Sequence, residues 1–324
     1  GIIRDFKERW SRAFWRDQTG RVASITTFNA GINAVVDTAQ YMMENGIYEI
    51  WSSDGVTLRG PAYAIQVDPA TGTVDFSSAS SVDGGTAGSG LGALGIVDTD
   101  VVVWRGAHVS GAFNAANSQD ILGMPVHVDD GTDQPAGNPG ADTHEGIDRA
   151  LHTSWRSLRI DAANADLDDD LLHRLIQGIM ARSDFEPNQI TWHPFQFIRA
   201  AQLLNPNIRT SAGGTAKLGF KDFAFATSDV DVSFDKDRLC PYDEIYALRN
   251  EDFETCVKQD LQWRPVYRDQ LLRSSNEGAV FATNQDRGRM TASLMWIGNF
   301  KCKNPLNQGK IVNLGVTTPV FGTR

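Results

Sequence analysis

The chain has 324 residues, a formal net charge of −10, and 41% apolar residues. That length can bury a large core in one to three domains. The acidic balance argues against a surface that grips nucleic acid broadly, and no apolar run is long enough for a membrane-spanning helix. Cys240, Cys256 and Cys302 are too few and too scattered for a disulfide framework or a metal knuckle, and read as reduced, mostly buried thiols.

Residues 2–16 read as a helix. Ile2, Ile3, Phe6, Trp10 and Phe14 recur at three- and four-residue steps among charged residues, and Gly20 follows where a helix usually stops. Residues 21–118 read as β structure. The runs 47–51, 62–67, 73–76 and 101–104 are β-rich, with Asp54-Gly55 and Asp68 to Gly72 as turns between them. Their spacing predicts a small barrel or sandwich with a Gly/Ser/Ala loop from Gly84 to Gly95, followed by a strand from Ile96 to Trp104.

A polar loop spans 129–146. The clearest internal helix follows at about 167–182, with an apolar stripe of Leu167, Leu171, Leu172, Leu175, Ile176, Ile179 and Met180. Asp166, Asp168, Asp169 and Asp170 load its N-terminus, where the helix dipole favours negative charge. A strand at 189–192 leads through Pro194 to a helix near 195–204, and the chain is strand-rich again from Lys217 to about 312.

No stretch carries a recognisable catalytic motif. Gly90 to Gly95 matches G-x-G-x-x-G, but a strand is expected after it where a dinucleotide site needs a helix. The aspartates at 166–170 point around a helix and read as capping, and Asp129 to Asp133 has the make-up of a weak cation loop but reads as a solvated turn. The histidines at 108, 127, 144, 152, 173 and 193 show no metal-binding spacing, and Trp155, Trp192, Trp263 and Trp296 read as core or interface packing. No catalytic, cofactor or metal site is expected.

The order of these segments resembles the major capsid proteins of tailed bacteriophages, which have the HK97-like fold. Lys7 to Phe14 followed by Asp17 to Ala23 looks like the end of the family's spine helix and the turn after it. Val67 to Val74 looks like a β insertion that some members carry. Ile121 to Gly131, then Gly146 to Arg149 and Trp155, have a spacing familiar from one branch. The helix, strand and helix from 167 onward resemble the axial domain, and Val230 to Leu248 resembles the segment that crosses it. Trp296 to Cys302 resembles the return into the peripheral domain.

The resemblance covers nearly the whole chain and implies an α+β, HK97-like fold with an inserted small barrel or sandwich. It assigns 1–20 to the end of the spine helix, 21–118 to the insertion and 119–145 to a linker loop and strand. Residues 146–255 would be the axial domain, and 256–324 the peripheral return strands and tail. An N-terminal arm and E-loop precede the spine helix in the family, so Gly1 is expected not to be the native start.

The implied function is structural and not enzymatic: hexamers and pentamers tiling an icosahedral shell around phage double-stranded DNA, without sequence-specific binding. The implied location is the virion, after assembly in the host cytoplasm. Its partners would be copies of itself and decoration or cement, portal and scaffolding proteins, with no cofactor and no membrane. Arg264, Arg268, Arg273, Asn284, Arg287 and Arg289 are the candidate inter-subunit contacts. An encapsulin-like compartment, or a soluble enzyme without a recognisable motif, stays open as an alternative.

Overall fold

The computed structural model describes residues 2–17, 19–29, 33–79, 85–88, 94–113, 117–118, 120–131, 143–149, 151–204, 224–227, 230–264, 282–284, 289–291 and 293–315. They divide into two compact units, one of Gly1–Asp252 with Cys302–Arg324 and one of Phe253–Lys301. Among the described residues no helix is long and apolar enough to cross a membrane.

The first unit opens with helix α1 (Ile2–Phe14), at the position expected from its apolar spacing. Six strands follow: β1 (Arg21–Asn29), β2 (Asn33–Val36), β3 (Ile47–Trp51), β4 (Leu58–Asp68), β5 (Thr73–Ser77) and β6 (Val101–Trp104). They close into a barrel in the order β1-β2-β5-β4-β3-β6. Ile25, Ala34, Tyr48, Ile50, Ala62, Ala64, Val74, Phe76, Val102 and Val103 are buried within it. The turn before β5 uses Asp68 as the sequence suggests. Its carboxylate accepts Ala70 N–H at 2.9 Å and the Thr71 hydroxyl at 2.7 Å, and Gly72 takes a φ of 69°.

One expected strand is shorter than the sequence suggests. Only Val101–Trp104 pairs; residues 96–100 turn instead. Asp100, 1% exposed, accepts Val97 N–H at 3.0 Å and binds Arg59 Nε at 3.1 Å, which holds the chain in a turn despite its β-branched residues. Of the glycine-rich motif, Gly90 to Ala93 lie outside the described residues, and the chain runs from Gly95 through this turn into β6.

After the barrel come a single helical turn, α2 (Met124–His127), a two-residue hairpin of β7 (Thr143–His144) and β8 (Ile147–Asp148), and β9 (Leu158–Asp161). Helix α3 (Asp169–Met180), strand β10 (Gln189–Trp192) and helix α4 (Pro194–Leu204) follow in the predicted order. Then come β11 (Ala224–Thr227), β12 (Val230–Lys236), β13 (Ile245–Leu248), β14 (Phe253–Arg264), β15 (Ala282–Asn284), β16 (Arg289–Thr291), β17 (Ser293–Cys302) and β18 (Gly309–Val312).

Strands β11-β12-β10-β13-β18-β9 form one mixed sheet, with β10 parallel to β12 and β18 parallel to β9. Helix α3 lays Leu171, Leu172, Leu175, Ile176 and Ile179 on this sheet, against Ile190, Trp192, Ile245 and Ile311. Gly309 permits the close approach, because a Cβ there would lie 2.9 Å from Ile179 Cδ1 and 3.0 Å from Leu175 Cδ1. Asp168 caps α3 by accepting Leu171 N–H at 2.7 Å, and Asp169 and Asp170 stand in its first turn. The acidic run therefore has the capping role its position implies, with Asp166 turned instead to Arg199 at 2.8 Å.

Polar contacts tie α1 to the barrel and the sheet. Arg12 Nη1 donates to the carbonyls of Gln40 and Met42 at 2.7 Å, and Gln40 Nε2 donates to those of Arg238 and Cys240. Trp15 Nε1 donates to Asp237 at 2.7 Å. Burial draws the Arg16 guanidinium down to about 10, and it ion-pairs with Asp120.

The second unit contains the ribbon of β14 and β17 and the hairpin of β15 and β16. Phe253 and Phe300 stack there with ring centres 5.2 Å apart. Cys240 and Cys302 are buried as expected, whereas Cys256 is exposed on β14. Trp192 is fully buried, Trp296 is half-buried, and the Trp263 side chain lies outside the described residues.

Candidate functional site

The residues chosen from the sequence as inter-subunit contacts all belong to the second unit. Arg264 ends β14, and Asn284 and Arg289 face each other across the β15–β16 pair. Arg268, Arg273 and Arg287 lie outside the described residues. Nothing described brings these six residues to one point.

The structure instead gathers polar residues elsewhere, where the 124–131 segment, the β7–β8 hairpin and β18 meet. His127, Asp129, His144, Arg149 and Lys310 are each at most 1% exposed. Asp129 was expected in a solvated turn. It is buried because Lys310 Nζ lies 3.3 Å from one carboxylate oxygen and Arg149 Nη1 lies 4.0 Å from the other. Arg149 also donates to the Val126 carbonyl at 2.7 Å, and burial lowers its pKa while Asp129 and Asp130 work against that shift.

Beside these charges sits a chain of three rings. Trp155 Nε1 lies 3.1 Å from His144 Nδ1, and His144 Nε2 lies 2.8 Å from His127 Nδ1. The two imidazoles meet edge to face, at 88°. Glu145 Oε1 is 3.8 Å from His127 Nδ1 and accepts the Cys302 backbone N–H at 3.3 Å. Burial, with help from the Arg149 charge and from His127, pushes the His144 pKa down to about 2. Burial likewise pushes the Cys302 thiol up to about 12.

His127, His144 and Glu145 offer three ligand atoms within 4.8 Å of one another. Their hydrogen-bond directions do not suit a cation. An indole nitrogen only donates, so His144 Nδ1 must keep its lone pair for Trp155 and carry the ring hydrogen on Nε2. A metal on Nε2 would displace that hydrogen to Nδ1, against the Trp155 N–H. The group is therefore a hydrogen-bonded ring chain.

No sequence motif marks this cluster. His127 and His144 are 17 positions apart and are separated by a polar loop, so only the fold pairs them.

An open cavity of about 410 Å³ borders this cluster at Lys310 and Pro125, and is lined also by Arg16, Asp17, Arg21, Asp37 and Glu244 among others. Its lining carries both cationic and anionic residues, and Arg21 and Asp37 approach each other at 3.4 Å.

No family model matches the sequence, and no curated protein matches it. Among solved structures the chain is similar to the holo-SrpI encapsulin complex of Synechococcus elongatus. The identity is 11%, with 51% of this chain and 55% of that chain covered and a TM-score of 0.32. It is also similar to the capsid asymmetric unit of cyanophage A-1(L), at 13% identity over 59% of this chain and 64% of that chain, with a TM-score of 0.37. The chain thus matches less than two thirds of the length of either protein.

Proposed function

We propose that this chain is a subunit of a self-assembling shell of the HK97-like capsid type. In this reading its work is to form hexamers and pentamers that tile an icosahedral container around double-stranded DNA. The observation that carries the reading is the β14–β17 ribbon. These strands have 12 and 10 residues, yet they form a two-stranded sheet. Residues 254–258 of β14 are exposed in succession, and Val257 and Ile297 remain 45% and 40% exposed. A long ribbon that pairs with no third strand among the described residues, and that exposes apolar side chains, gains stability when other chains cover it. Closed symmetry lets identical copies supply that cover to one another.

The order of elements supports the same reading. A helix precedes the barrel, and α3, β10 and α4 are followed by crossing strands, a long ribbon and a final return strand, as in the resemblance argued from the sequence. In this arrangement residues from about 146 to 255 surround each capsomer axis. Helix α1 and the strands from about 256 to 312 reach neighbouring capsomers. The barrel projects from the shell or braces adjacent subunits. Arg264, Arg268, Arg273, Asn284, Arg287 and Arg289 serve as contacts between subunits.

Sedimentation of the purified chain, followed by electron microscopy and nucleic-acid detection, tests the proposal. Closed particles that enclose DNA in the virion are the expected result. Closed particles filled with protein cargo would favour an encapsulin-like compartment. A monomer or dimer at all concentrations would overturn shell formation.

A further inference from the structure

The ring chain has a fixed proton direction. Trp155 gives its N–H to His144 Nδ1, and His144 gives its Nε2 hydrogen to His127 Nδ1. A proton added to His144 Nδ1 would oppose the Trp155 N–H. A proton added to His127 Nδ1 would force His144 to move its own hydrogen to Nδ1, with the same result. Two neutral rings are the one state that keeps both links.

From this geometry we propose that the Trp155–His144–His127 chain is an acid-released latch, which ties Trp155 through His144 to His127 at neutral pH and lets go when the pair takes up a proton, leaving Arg149 as the remaining tie to Val126 and Asp129. The inference does not depend on shell formation.

The surrounding charges define the released state. Arg149, in the same segment, repels a proton on His144. Glu145, 3.8 Å from His127 Nδ1, attracts one on His127. Asp129 faces Lys310 and Arg149 beside the pair, and Cys302 holds Glu145 through its backbone N–H. Acid thus moves His127 from His144 to Glu145. Trp155 loses its acceptor, and the 3₁₀ turn at Thr153–Trp155 loses its tie to the hairpin. Release begins below the ordinary histidine range, about pH 6.5, and each proton taken up shifts the opening equilibrium by up to about tenfold per pH unit.

Hydrogen exchange of the full chain between pH 5 and 7.5, corrected for the intrinsic rate, tests this. Protection of residues 143–157 should fall by up to about tenfold per unit below about pH 6.5. His144→Gln should keep protection at neutral pH and make the slope shallower, because a glutamine both accepts and donates without titrating and leaves only His127 to take up a proton. His127→Gln, which retains an acceptor for His144 and leaves only His144 to titrate, provides a second variant with a shallower slope should the first fail to fold. An unchanged slope in a folded glutamine variant, or no slope in the parent chain, overturns the proposal. So does stoichiometric zinc uptake at pH 7 that raises protection and disappears in His144→Gln, since it would make the pair a metal site.

Discussion

A buried imidazole that accepts an indole N–H has no room for a second ring proton, and this ties His144 to acid stability. Its folded pKa is depressed by burial, by Arg149 and by His127. The unfolded chain binds the proton more readily, so this contribution to stability is full above about pH 6.5 and declines as pH falls. The slope is up to about 1.4 kcal/mol per pH unit. Urea midpoints measured from pH 7.5 to 5 should follow this course, with a shallower one for His144→Gln. Asp129 poses the opposite problem. Asp129→Asn would leave Lys310 and Arg149 buried beside a neutral group, and a loss of about 3–5 kcal/mol is expected in urea unfolding. Neither residue was legible in the sequence. Asp129 lies in an Asp- and Gly-rich stretch that reads as a turn, and the lysine that buries it arrives only with β18.

At the scale of elements, α3 was the most legible part of the chain. Its apolar stripe repeats at the helical period, and its aspartates stand where the dipole and the cap require them. Two substitutions check that account. Asp168→Ala should cost about 1 kcal/mol through loss of the cap. Leu175→Ala should cost about 2–5 kcal/mol by opening a cavity against the sheet. Both are readable from the midpoint of chemical unfolding. The barrel was legible as a whole but not strand by strand. Strand β1 shifts register between Ile25 and Thr27, which breaks the alternation that would mark it as a strand. The opposite error occurred at residues 96–100, where β-branched residues suggested a strand and the buried Asp100 carboxylate imposes a turn.

On the scale of the whole molecule, the ribbon makes assembly testable by surface changes alone. Val257→Glu with Ile297→Glu alters side chains already open to solvent, so the folded chain should keep its unfolding midpoint within about 0.5 kcal/mol. If the chain assembles as proposed, the same pair should shift sedimentation from large particles to small oligomers, because each new charge would be desolvated by a covering subunit. The sequence reading anticipated strands in this region, but its choice of arginines followed charge, whereas the exposed apolar side chains are visible only once β14 and β17 are paired.

The barrel has a further consequence. Strands β1 and β6 are neighbours, with Arg21 opposite Val103, so the chain enters and leaves the barrel through adjacent positions. At that doorway a Cβ on Gly20 would fall 2.7 Å from the Ala107 carbonyl oxygen. To the rest of the chain, 84 residues count as little more than a tight turn, since the cost of joining two ends depends on their separation and only slowly on the length between them. Residues 21–104 thus leave and rejoin the chain at one place. A foreign domain with equally close termini is expected to fit this doorway, at the loss of the ties from Arg12 to the Gln40 and Met42 carbonyls, from Gln40 to the Arg238 and Cys240 carbonyls, and from Gly55 and Val56 to His108, Ser110 and Gly111.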